Sequence, residues 1–98
     1  VQSSEFTVFA AHPGTASPRL GLAVGRRVGN AVVRNRIRRL LKEIFRHIAP
    51  EMLPVDVVIV ARPEAAGYAD RRLKELESRV LPLVRRAIDR LGTKRTGP

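Results

Sequence analysis

Residues 29–45 read GNAVVRNRIRRLLKEIF, and the rest of the chain is ordered around them. With Val33 at zero and an advance of about 100° per residue, Val33, Ile37, Leu40, Leu41, Ile44 and Ile48 fall within roughly 100° of one another. That stripe faces a core. Arg34, Asn35, Arg38, Arg39, Lys42 and Arg46 occupy the opposite face, with Arg36 at its margin and Glu43 as the helix's one acid. Asn30 is a good N-cap, its side-chain oxygen able to accept from a free backbone N–H. Pro50 ends the helix by about Ala49.

A solvated helix face ordinarily mixes Glu with Lys at helical spacing, which supports the helix and avoids repulsion. This face does the reverse. Arg26, Arg27, Arg34, Arg36, Arg38, Arg39, Lys42 and Arg46 stand against Glu43 alone, and they supply most of the chain's formal charge of +10. A pI near 11.7 agrees. Arg exceeds Lys, which suits forked contacts to phosphate, so nucleic acid is the expected partner.

Ninety-eight residues with 44% hydrophobic content suffice for one modest core, so the charge rides on a folded body. One RNA-binding domain over residues 1–91 and a flexible basic tail over 92–98 are expected. With no cysteine, neither a disulfide framework nor a thiolate zinc site can form, and secretion gains no support. The apolar run Val57 to Ala61 is too short to span a bilayer. A soluble, cytoplasmic protein is expected, with no membrane partner and no small-molecule substrate.

Around the helix, Glu5 to Ala11 alternates Phe6, Val8 and Ala10 against Thr7 and Phe9, the period of a strand. Arg19 to Arg26 alternates Leu20, Leu22 and Val24 against Gly21, Ala23 and Gly25. Such a flat second face lets a helix pack closely or leaves a shallow groove for another chain. Phe9 beside that groove suggests a stacking platform for a single-stranded base. Val55 to Ala61 is β-branched and nearly continuous, the pattern of a central strand covered on both faces, and it follows a helix as a crossover would. Ala69 to Leu91 reads as a second helix with Leu73, Leu76, Val80, Leu83, Val84, Ala87 and Leu91 on one stripe. Pro82 predicts a kink there, or two abutting helices.

The chemistry of a self-sufficient catalyst is missing from the pattern. No two of the nine acids form a DxD or ExxD-type pair in a strand or loop. His12 abuts a loop, and His47 lies at the margin of the apolar stripe, where capping or packing suits it better than base catalysis. Gly21, Gly25 and Gly29 lack the Lys-Ser/Thr that completes a phosphate loop.

Taken together, GLAVGRRVGNAVVRNRIRRLLKEIFR and VDVVIVAR resemble the bacterial ribonuclease P protein subunit. The resemblance rests on Arg34-Asn35-Arg36 within a helix opened by Gly29-Asn30-Ala31 and preceded by Arg26-Arg27, and it spans roughly Glu5 to Ile88. It implies an α+β fold of the ribosomal protein S5 domain 2-like type, with a central sheet of three to four strands, the basic helix in a left-handed β-α-β crossover, and a C-terminal helix. That hand runs against the usual rule. It further implies a subunit that binds ribonuclease P RNA and the 5′ leader of precursor tRNA, so that Mg²⁺-dependent endonucleolytic cleavage is carried out by the RNA. No catalytic residue and no metal ligand is expected in this chain, the Mg²⁺ being held by the RNA.

By the same resemblance, Arg26, Arg27, Asn30, Arg34, Asn35, Arg36, Arg38, Arg39, Lys42 and Arg46 face the catalytic RNA. Thr7, Phe9, Ala23 and Arg27 meet the leader in a sheet cleft. Members often carry serine where Ala23 and Gly25 stand, and they begin with a basic, aromatic-bearing helix that walls the cleft. Here Val1 opens the chain without it, so a truncated form is expected, in which the uncovered cleft wall either weakens leader binding or invites self-association. A ribosomal or other structural RNA-binding protein would need the same basic helix but no cleft. A helix-turn-helix DNA reader would need a preceding helix that the pattern does not offer.

Overall fold

A computed structural model describes residues 1–14, 16–52 and 54–95. In chain order it comprises β1 (Phe6–Ala11), β2 (Arg19–Val24), α1 (Ala31–Ile48), β3 (Asp56–Ala61) and α2 (Leu73–Arg95), with 3₁₀ turns at Arg26–Val28, Ala49–Glu51 and Pro63–Tyr68. The sheet runs β1-β3-β2, with β3 antiparallel to β1 and parallel to β2. A parallel neighbour cannot be reached by a hairpin, so α1 makes the crossover.

Register sorts the side chains into two faces. Phe6, Ala61 and Val24 form one cross-strand row, Val8, Ile59 and Leu22 the next, and Ala10, Val57 and Leu20 a third. This face carries the core. Ile37, Leu41 and Ile44 of α1 and Leu76, Val80, Leu83, Val84 and Ala87 of α2 are buried in the same cluster as Phe6, Val8, Val57 and Ile59. Both helices therefore lie on one side of the sheet.

The other face is open, which corrects the expectation that β3 is covered twice. Val58 is 41% exposed and Phe9 55%. The β-branched run reports a strand's backbone preference and the central position of β3, neither of which requires a second covering layer.

Helix α1 begins as the sequence predicts, with Asn30 Oδ1 accepting from Val33 N–H at 3.0 Å. Gly29, at φ 155°, turns the chain into the helix, and a Cβ there would meet Val33 Cβ at 3.0 Å. Helix α2 starts later than expected, at Leu73 rather than Ala69, because the 3₁₀ turn at Pro63–Tyr68 takes up the preceding chain. It continues through Pro82 as one helix instead of two. Pro82 and Ser78, whose carbonyl loses its partner, are both exposed, so the break in the ladder falls on the solvent side. The helix extends to Arg95, past the expected boundary at Leu91; the rest of the expected tail, 96–98, lies outside the described residues.

One ionic cluster ties the N-terminal strand to α2. The side chain of Glu5 is only 10% exposed, and it accepts from Arg79 at 3.0 and 2.8 Å and from the Tyr68 hydroxyl at 3.3 Å. Burial pushes the Glu5 carboxyl up, but hydrogen bonds from Arg79, Ser3 and Ser4 outweigh it and hold the group below its ordinary 4.5. A depressed carboxyl contributes stability above the unfolded pKa and loses it as pH falls through the folded one. Thermal unfolding should therefore show Tm falling as pH drops below about 4.5. In Glu5→Gln, Tm at pH 7 should be lower by about 4–8 °C, the equivalent of about 1 kcal/mol, and the acid-side fall shallower. Equal acid-side slopes for the two proteins would remove Glu5 from that role.

Candidate nucleic-acid interface

Eighteen residues of α1 carry the expected arginines, but the fold does not present them as one uniform face. Arg34 Nε donates to the Gly29 carbonyl at 3.2 Å, folding back over the helix start. Arg38 donates to Asn35 Oδ1 at 3.1 Å and to the Val24 carbonyl at 3.2 Å, which fixes its guanidinium between α1 and the end of β2. The middle residue of Arg34-Asn35-Arg36 thus orients a later arginine. Each guanidinium keeps N–H groups beyond these bonds for a phosphate, and its ordering is complete before any ligand arrives.

Arg36 is turned to the other flank. It donates to Asp70 Oδ1 at 2.6 Å, in an ion pair whose side chains are 54% and 87% exposed. Such a pair is weak and readily exchanged for phosphate, yet it subtracts one charge from the outward face. Arg46 is likewise paired with Glu43. Arg26, Arg27, Arg39 and Lys42 are exposed, and among the described residues no ion pair engages them. Sequence reasoning missed Asp70 because a partner thirty-four positions away leaves no periodic signal.

The expected cleft residues come together on the open sheet face. Thr7, Val60 and Ala23 form one cross-strand row, and Phe9, Val58 and Gly21 the next. Phe9 stands beside an apolar floor to which the far strand contributes Gly21, where an added Cβ would already touch Val58 Cγ2 at 3.4 Å. A flat base fits such a surface better than a bulky side chain does. Arg27 lies just beyond the Ala23 end, in the 3₁₀ turn after β2. The far end is closed by Asp56, which Arg19 grips with bonds of 3.0 and 2.7 Å. That grip, with a further hydrogen bond from the Gly14 backbone, holds the Asp56 carboxyl below its ordinary range. Val58 and Val60 also belong to this surface, and the sequence pattern of β3 gives no sign of it, since a continuous apolar run shows no open side.

Five of the carboxylates are committed to arginine. Glu5, Glu43, Asp56, Asp70 and Glu75 pair with Arg79, Arg46, Arg19, Arg36 and Arg71. Among the described residues no three His, Cys, Asp or Glu side chains gather as metal ligands. No described helix is long and apolar enough to cross a membrane.

Residues 1–88 match the family model described as Ribonuclease P. The chain belongs to the bacterial ribonuclease P protein family. Similar proteins include the ribonuclease P protein component of Xanthomonas oryzae, 45% identical over 69 residues that make up 69% of this chain and 48% of that one. Its counterpart in Desulfovibrio desulfuricans is 45% identical over 89 residues, 86% of this chain and 66% of the relative. The chain thus spans about half the length of the Xanthomonas relatives it matches. Among solved structures, the ribonuclease P protein of Thermotoga maritima superposes with a TM-score of 0.77 at 28% identity, covering 88% of this chain and 82% of that one. The Staphylococcus aureus protein gives 0.74 at 27% identity, covering 85% and 74%. The α+β fold with a three-stranded sheet and two main helices is the one these ribonuclease P proteins share.

Proposed function

We propose that this chain acts as the protein subunit of ribonuclease P, binding the catalytic RNA through α1 and the 5′ leader of precursor tRNA across the open sheet face. The observation that carries this reading is the one-sided sheet. Both helices cover the core face, which leaves an apolar, glycine-floored surface with Phe9 55% exposed next to a strongly basic helix. A purely structural RNA-binding protein has use for the helix but none for an uncovered sheet face.

In this role Arg26, Arg27, Arg34, Arg38, Arg39 and Lys42 neutralise phosphates of the ribonuclease P RNA, lowering the repulsion between it and its polyanionic substrate. Phe9 stacks a leader base while Thr7, Ala23 and Arg27 border its path. Cleavage is metal-assisted hydrolysis, with Mg²⁺ held by the RNA. The protein positions the leader and reduces the Mg²⁺ needed, and the work is done in the bacterial cytoplasm. Reconstitution tests it: with ribonuclease P RNA at low Mg²⁺, adding the protein should raise the rate of 5′ cleavage of precursor tRNA several-fold or more. No stimulation, including by a chain to which a basic N-terminal helix has been added, would refute the role.

A further inference from the structure

Between α1 and the outer edge of β2 lies a groove of about 590 Å³, lined by Leu20, Leu22, Arg38, Lys42, Phe45 and Arg46. Its size falls within the roughly 300–1,000 Å³ of small-ligand sites. The floor is apolar, from Leu20, Leu22 and Phe45, and the rim is three cations. Lys42 has no described ion pair or hydrogen bond, whereas Arg38 is held in place by Asn35 and the Val24 carbonyl.

The third wall is main chain. Arg19 N–H donates to the Val55 carbonyl at 3.0 Å, so in a parallel ladder Arg19, Gly21 and Ala23 turn their N–H and C=O groups toward β3, and Leu20, Leu22 and Val24 turn theirs outward. The Arg38 bond to the Val24 carbonyl confirms that alternation. Among the described residues nothing pairs with the Leu20 or Leu22 main chain, so a donor and an acceptor from each face the groove.

We propose that this groove receives one unpaired nucleotide of the RNA bound by α1, an inference that rests on the reading of α1 as the RNA-binding helix. The base lies on Phe45, Leu20 and Leu22, its edge meets the free N–H and C=O of Leu22, and its flanking phosphates meet Lys42 and Arg46. A duplex offers only phosphate to such a site and leaves the apolar floor unused; an extruded base uses all three walls. The cationic rim selects a polyanion. Recognition of the catalytic RNA then includes a single-stranded position beside the helix, in addition to its shape and charge.

Phe45→Trp supplies the test, because the chain has no tryptophan of its own. Emission of this variant should be quenched saturably by a five-nucleotide single-stranded RNA and by ribonuclease P RNA. A blunt twelve-base-pair RNA duplex should shift the protein's mobility yet leave emission unchanged. Phe45→Leu keeps an apolar side chain but removes the ring, and should weaken binding of ribonuclease P RNA roughly ten-fold at every salt concentration, with the slope against salt unaltered. Lys42→Ala should flatten that slope by about one phosphate contact. If ribonuclease P RNA binds the Phe45→Trp variant while its emission stays constant, the groove is not a nucleotide site and the α1 surface stands. If an acidic, leucine-containing peptide quenches and RNA does not, the edge of β2 accepts a protein strand instead, and the proposal falls. If no RNA binds at all, the assignment of α1 falls with it.

Discussion

Reversing two charges on the outward face of α1, Arg39→Glu with Lys42→Glu, should lower affinity for ribonuclease P RNA on the order of 100-fold near 0.1 M salt. Both side chains are exposed and neither joins a described ion pair, so the loss is electrostatic and Tm should hardly move. Filter binding over a salt series gives the check. The slope of log affinity against log salt should fall by about two phosphate contacts, and affinities should converge at high salt. Arg36→Ala should have a smaller effect than either reversal, because Arg36 already shares its charge with Asp70. A double variant that binds with the parent's affinity and slope would place the RNA on another surface.

The second large effect separates two phenylalanines three residues apart. Phe6 is fully buried in the core on the covered face of the sheet, and Phe6→Ala should cost about 3–5 kcal/mol. At about 4–8 °C per kcal/mol for a domain of this size, Tm falls by more than ~12 °C. Phe9 lies on the opposite side of the same strand, and Phe9→Ala should shift stability by no more than about 0.5 kcal/mol. Its effect belongs to the leader: losing one stacked base, worth about 1–3 kcal/mol, lowers affinity roughly 5- to 150-fold. The quantity to measure is the reconstituted holoenzyme's preference for precursor over mature tRNA, alongside Tm by calorimetry. A Phe9→Ala protein with that preference intact would move the leader off the sheet.

These two experiments probe features that differ in how they are written into the chain. The alternation that puts Phe6 inside and Phe9 outside is legible residue by residue, as is the α1 stripe of Ile37, Leu41 and Ile44. The pairing of Arg36 with Asp70 and the anchoring of Arg38 on Val24 are not. Each joins groups far apart in sequence, one of them a backbone carbonyl, which has no identity that a sequence can display. Phe45 escapes a sequence reading for a related reason. At about 120° on the wheel it sits at the stripe's edge, and only the free edge of β2 makes that edge the wall of a groove.

The helices, the strands, the cap at Asn30 and the excess of arginine on α1 are all readable from the residues alone, because each depends on a short repeat or a near neighbour. That both helices cover one side of the sheet emerges only from the packing of the folded chain. That choice exposes Phe9, Val58 and Gly21 together, and no local period carries it: a β-branched strand has the same pattern whether one of its faces is buried or both are.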